Sequence, residues 1–263
     1  MDARGSRAPR RGAAALGQHF LPRRLAAELV RHAEVEPDEL VIEIGSGTGA
    51  LTAALAERAR TVIAIELDPR LARGLRSAFA GDPTVRIVES DARSWPLPRD
   101  PFRAFGNVPF AITNDLFRRL LDDPVGGMVR ADLIVQWEVA RKRIAEPPGN
   151  VLSLGWGPWW TFTIERRLPS SSFRPAPRVD AALLTIRRRE PPLLPETEVT
   201  GYRRLVRQVF LTPSRPVVRS LRSMVGARAG RVVSDVGISH RARATDLRIE
   251  DAVALFRRIQ QVV

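Results

Sequence analysis

The stretch Val41 to Gly49, VIEIGSGTG, constrains the fold of this chain more than any other. An apolar, β-branched run that stops at glycines reads as a buried strand entering a tight turn. Such a turn lets a ligand approach main chain that side chains would otherwise shield. ALTAALAERA continues as the helix that the turn opens, TVIAIELD as a second strand ending in Glu66 and Asp68, and PRLARGLRSAF as a helix with Pro69 in its first turn. VRIVESDA, ending at Asp91, and FRAFGNVPF are the third and fourth strands. ITNDLFRRLLD is the next helix, and ADLIVQWEVARKRI a fifth strand merging into a basic helix. Strands alternating with helices predict an α/β domain with a mainly parallel sheet covered on both faces. WWTFTIERRL and AALLTIRRR follow with no helix between them, giving an antiparallel edge and a seven-stranded sheet.

Three regions differ in composition. Residues 1–16 hold Arg4, Arg7, Arg10 and Arg11 against Asp2 alone and read as a disordered basic arm, since they have little apolar surface to bury. Residues 17–190 carry the strands and helices above. Beyond Pro191, Pro192 and Pro195, residues 195–263 read as a small all-helical domain on a proline hinge, with GYRRLVRQVFL, RPVVRSLRSMV and IEDAVALFRRIQ as its helices. That segment has 13 arginines against 6 acids, a basic face suited to RNA or a solvated surface.

The whole chain carries a net charge of +13, and all but one of its 42 basic residues are arginine, Lys142 being the exception. Such a balance points to a polyanionic partner, and the arginine fork suits phosphate and base stacking. A bias in genomic base composition would also raise arginine over lysine, but not the net charge. The chain has no cysteine, which excludes disulfides, thiolate metal sites and thiol nucleophiles, including the thiol addition used to methylate carbon 5 of a pyrimidine. His19, His32 and His240 show no ligand spacing, so no metal is expected. Without a run of membrane-span length or a signal-peptide core, a cytoplasmic monomer is the expectation.

The glycine turn is G-x-G-x-G, and Ala50 stands where the dinucleotide fingerprint has its third glycine. Glu66 closes the next strand at the register where an acid accepts from ribose hydroxyls. Asp91 closes the third, placed either to accept from an adenine amino group or to cap a helix. In NVPF, Asn107 to Phe110, the Asn107 oxygen and a neighbouring backbone carbonyl make an acceptor pair for both hydrogens of an amino group. Such a pair localises the nitrogen lone pair. Pro109 stiffens the loop, and Phe110 offers a ring for a base to stack on. All four features fall at the ends of successive predicted strands, along one edge of the sheet. Together they suggest methyl transfer to an amino group.

On GQHFL, EIGSGTG, IELD, ESDA, NVPF, QWEVARKR and FRPAPRVDAALL, the chain resembles the ribosomal RNA adenine dimethyltransferases over nearly its whole length beyond the basic arm. That group contains the Erm macrolide-resistance enzymes and the KsgA-type small-subunit enzymes. The resemblance implies a Rossmann-like class I fold, S-adenosylmethionine as cofactor, and a flipped adenine in ribosomal RNA as target. It implies that His19, Leu21 and Asn107 border the cofactor, with Gly45 and Gly47 at its methionine end, Glu66 at its ribose, and Asp91 and Ala92 at its adenine. Asn107, Val108, Pro109 and Phe110 would hold the target base, with Phe173 near its other face, and Arg141, Lys142 and Arg143 would meet RNA. Two departures stand out: His19 replaces a usual asparagine, and Phe110 a frequent tyrosine. QWEVARKR, FRPAPRVD and the run Trp156, Trp159 and Trp160 look closer to the Erm branch, hence 23S RNA; each tryptophan taken alone reads as core. The alternatives are a 16S enzyme, a DNA adenine methyltransferase, and a non-catalytic RNA-binding factor on the same fold.

Overall fold

The computed structural model describes residues 19–263, and the arm expected at 1–16 lies outside them. The apolar run before the glycines forms strand β1 (Leu40–Ile44), whose alternate side chains enter different cores: Ile42 and Ile44 one, Val41 the other. Strand β2 (Thr61–Glu66) divides the same way, Ile63 and Ile65 against Val62 and Ala64. Strands buried on both sides need helices on both. Helices α1 (Arg23–His32) and α2 (Ala50–Ala56) cover one face, and α4 (Thr113–Leu121) the other through Leu116, Phe117 and Leu120. Helix α3 (Pro69–Ala78) starts where Asp68 accepts the backbone N–H of Arg70 at 2.9 Å. The Arg70 guanidinium holds the Asp68 carboxyl down to about 2.

The remaining strands are β3 (Val85–Glu89), β4 (Phe102–Asn107), β5 (Met128–Gln136), β6 (Trp160–Leu168) and β7 (Ala181–Arg188). They complete a seven-stranded sheet of order β3-β2-β1-β4-β5-β7-β6, parallel through β5 and antiparallel in the last two strands. This is the Rossmann-like, mainly parallel arrangement that the alternation of strands and helices predicts. β1 has β2 on one side and β4 on the other, so a crevice opens beyond their carboxyl ends, where open α/β sheets bind ligands. At that crevice the two strands approach closely: a Cβ on Gly106 would lie 2.5 Å from the Ile44 carbonyl oxygen.

An ionic cluster under the sheet was not evident from the sequence. Arg103 on β4 is fully buried. It bonds to buried Asp132 on β5, to Glu39, and to the carbonyls of Ala33 and Glu34 at the end of α1. A cation at a helix carboxyl end complements the helix dipole, and here it ties α1 to the sheet.

Helix α5 (Trp137–Ile144) continues β5, and the six-residue α6 (Val151–Trp156), absent from the sequence reading, is capped by the Asn150 side chain. Then come α7 (Val199–Phe210), α8 (Val217–Ser220), α9 (Arg222–Val225), α10 (Ala229–Asp235) and α11 (Ile249–Gln260). The proline segment is no free hinge. Leu194 is buried and its carbonyl accepts the Trp159 indole N–H at 3.0 Å, while the Tyr202 ring meets those of Trp159 and Phe256 edge-on. The C-terminal helices thus share one core with the sheet. Trp156, Trp159 and Trp160 all lie in that core, each indole donating to a carboxylate or carbonyl. No helix among the described residues is long and apolar enough to cross a membrane.

Candidate active site

A cavity of about 360 Å³ opens at the crevice, walled by the glycine turn, the ends of β2 and β3, the NVPF loop, and a strap formed by His19, Phe20 and Leu21. Gly45 and Gly47 adopt φ of 73° and 57°, a conformation open to glycine. A Cβ on Gly45 would reach 3.6 Å from the Asn107 carbonyl oxygen, filling the gap between the turn and NVPF; one on Gly47 would press at 3.1 Å on the Phe20 ring.

Glu66 organises this corner. One carboxylate oxygen accepts the Gly47 N–H and the other the Asp68 N–H, both at 2.8 Å. Each oxygen keeps a further lone pair, so the buried group still has acceptor capacity toward the cavity. Beneath the turn, Glu43 is fully buried: one oxygen accepts the Thr52 hydroxyl at 2.6 Å and the other has no partner. Burial pushes its carboxyl up to about 7, against the opposing hydrogen bond from Thr52. An acid inside a β-branched run was the available signal for it.

Asp91 lines the cavity, but Arg93 holds its carboxylate through the backbone N–H, Nε and Nη2, which keeps the acid below the usual carboxylate range. Asp91 heads a turn rather than a helix: its carboxylate accepts the Arg93 N–H, and its backbone carbonyl accepts the Ser94 and Trp95 N–H groups. Ala92 lines the wall beside it.

Asn107 ends β4 and faces the strap, its Nδ2 donating to the His19 carbonyl. A carbonyl can only accept, so the amide presents its NH₂ there and leaves Oδ1 without a partner among the described residues. Val108, Pro109 and Phe110 continue the wall, and the Phe110 ring lies 5.8 Å from that of His19, tilted by 39°. The His19 side chain is itself held by a hydrogen bond. Its Nδ1 lies 2.9 Å from the Pro175 carbonyl and must donate to it. Phe20 and Arg174 exchange both backbone hydrogen bonds at 2.9 Å. The strap is therefore stitched to a loop more than 150 residues away, a pairing with no local sequence signal.

Two expected side chains lie elsewhere. Phe173 is 1% exposed and does not line the cavity; it packs in the core under the strap with Leu21 and Leu168, because the Phe20–Arg174 bridge turns its side chain inward. Arg143 is 8% exposed, wedged between the Phe117 and Trp156 rings, so it is no surface arginine. Arg141, 3.6 Å from Glu138, and Lys142 are exposed on α5.

The model of the family described as ribosomal RNA adenine dimethylase matches residues 11–261. The chain belongs to that family. It is an rRNA adenine N6-methyltransferase. It is 39% identical over 217 residues to the mycinamicin-resistance protein MyrB of Micromonospora griseorubida, covering 81% of this chain and 68% of that one. It is also 35% identical to the ribosomal RNA small subunit methyltransferase A of Rubrobacter xylanophilus, covering 93% and 94%. Among solved structures it is similar to the 23S rRNA methyltransferase ErmE, with TM-score 0.79 and 32% identity over 92% of this chain and all of that one.

Proposed function

We propose that this enzyme methylates the amino nitrogen of a flipped adenine in 23S ribosomal RNA, with S-adenosylmethionine as donor, and so blocks the site of macrolides, lincosamides and streptogramin B. The observation that carries the reading is the pinned amide of Asn107. S-adenosylmethionine supplies an electrophilic methyl group on a sulfonium. An exocyclic amino group is a poor nucleophile because its lone pair is delocalised into the ring. Asn107 Oδ1 and a neighbouring carbonyl accept its two hydrogens and localise that pair, and Phe110 stacks on the base, a contact worth about 1–3 kcal/mol. After transfer, the cationic amine loses its proton to solvent or to those carbonyls, so orientation rather than a strong base supplies most of the rate. Glu66 serves the ribose, the glycine turn the methionine end, and Asp91 with Ala92 the adenine of the cofactor; His19 and Leu21 close the cavity over it. The glycine turn, the gap at Gly45 and the spare acceptors of Glu66 fit such a group.

The 23S assignment is supported by the similarity to MyrB and ErmE. Methylation of 16S RNA is the second reading, favoured by the end-to-end match to a small subunit methyltransferase. Expression in a macrolide-sensitive host separates them. Resistance to all three drug classes is expected with the wild type and not with Asn107→Ala, whereas a sensitive host with unmodified 23S RNA would overturn the 23S reading.

A further inference from the structure

Phe110 offers one ring to a target base, but Phe173, expected on the base's other face, lies in the core and outside the cavity. The ring that accompanies Phe110 in the cavity wall is that of His19. Both side chains line the cavity and both residues are half-buried, with ring centroids 5.8 Å apart and planes inclined by 39°. Rings inclined in this way form a wedge and not a closed stack, so each keeps surface for a third ring. Phe20, the remaining ring of the wall, covers Gly47 in the glycine turn.

Three contacts hold the His19 ring in place. Its carbonyl accepts from Asn107 Nδ2, which sets its main chain against the side chain that is to hold the amino group. The next residue, Phe20, is bridged to Arg174 through both backbone hydrogen bonds. The imidazole Nδ1 donates to the Pro175 carbonyl at 2.9 Å, so the ring cannot turn without breaking that bond. Its faces and Nε2 make no hydrogen bond among the described residues. Histidine is one of the side chains on which unstacked RNA bases lie.

We propose that the His19 ring forms the second face of the target-base site, with the adenine held between it and Phe110. The proposal rests on the RNA reading above and names the side chain that completes its base site. The adenine enters the wedge in offset contact with one ring and inclined contact with the other, geometries that aromatic pairs favour. A ring already fixed by Pro175 loses little freedom when the base arrives. An asparagine at position 19, as the resemblance implies, could supply the main-chain contact to Asn107 but no ring.

The test separates the ring from its hydrogen bond. His19→Asn removes the ring and keeps a donor for the Pro175 carbonyl, whereas His19→Phe keeps a ring and removes the donor. Binding is measured to an RNA hairpin carrying the target adenine and to the same hairpin with an abasic nucleotide in its place. Saturating S-adenosylhomocysteine is present to prevent turnover. His19→Asn should bind the adenine hairpin about fivefold or more weakly than the wild type, as for loss of one stacking contact, and the abasic hairpin equally well. His19→Phe should match the wild type on both. Three results would overturn the proposal and leave the enzyme reading intact: His19→Asn equal to the wild type on the adenine hairpin, equal losses on both hairpins, or His19→Phe as weak as His19→Asn. Melting temperatures check the fold, and each variant decides the question alone should the other misfold. A wild type that leaves the adenine of the unmodified hairpin unmethylated would overturn the RNA reading along with the proposal.

Discussion

Asn107 has one orientation open to its amide, because its NH₂ meets a carbonyl that can only accept. Asn107→Ala should therefore lower the single-turnover methyl-transfer rate by about 100-fold or more, by analogy with removal of one fixed hydrogen-bonding group from an active site. Cofactor affinity by calorimetry should change little; an unchanged rate would remove the residue from the chemistry. Glu43 makes a separate claim about stability. Its folded carboxyl is pushed from 4.5 up to about 7, so the folded state holds a proton that the unfolded chain has released. Stability from this group is complete below about pH 4.5 and is lost as pH rises toward 7, by at most about 3 kcal/mol. Glu43→Gln, which keeps the shape without the ionisation, should flatten that part of the stability profile in urea unfolding. An identical profile in the variant would mean that Glu43 does not titrate there.

At the scale of elements, the strap depends on the loop beneath it. Phe173→Ala should destabilise the protein by about 3–5 kcal/mol, as expected for a fully buried ring. Cofactor and RNA affinity should fall together, because the support under His19 and Leu21 is lost. A variant with an unchanged melting temperature and weaker RNA binding alone would return Phe173 to the target base. The strands and their terminal residues were legible because β-branched runs and glycine turns are local signals. Gly45, Gly47, Glu66, Asp91, Ala92 and NVPF reach one cavity wall simply by ending neighbouring parallel strands. The inward turn of Phe173 was not legible, since it follows from pairing of Phe20 with Arg174. Helix α6 spans six residues, too few to show a period. The burial of Arg143 depends on α4 and α6 packing over α5, while its own run, ARKR, reads as solvated.

The molecule as a whole has a core that runs from the sheet through Trp159 and Tyr202 to Phe256 on the last long helix. Prolines 191, 192 and 195 suggested a hinge because proline marks linkers, but buried Leu194 between them ties the segment down. Urea unfolding followed by tryptophan fluorescence and by far-ultraviolet circular dichroism should then give coincident transitions. Separate transitions would restore an independently folding C-terminal domain. The net charge of +13 gives such a body general affinity for RNA, and the cavity must supply the choice of atom. The most direct measurement is transfer of labelled methyl from S-adenosylmethionine to protein-free 23S RNA, 16S RNA and DNA offered side by side. Label on the N6 position of adenine in 23S RNA, with little in the other two, is the expected result; label confined to 16S RNA or DNA, or none in any, would contradict it.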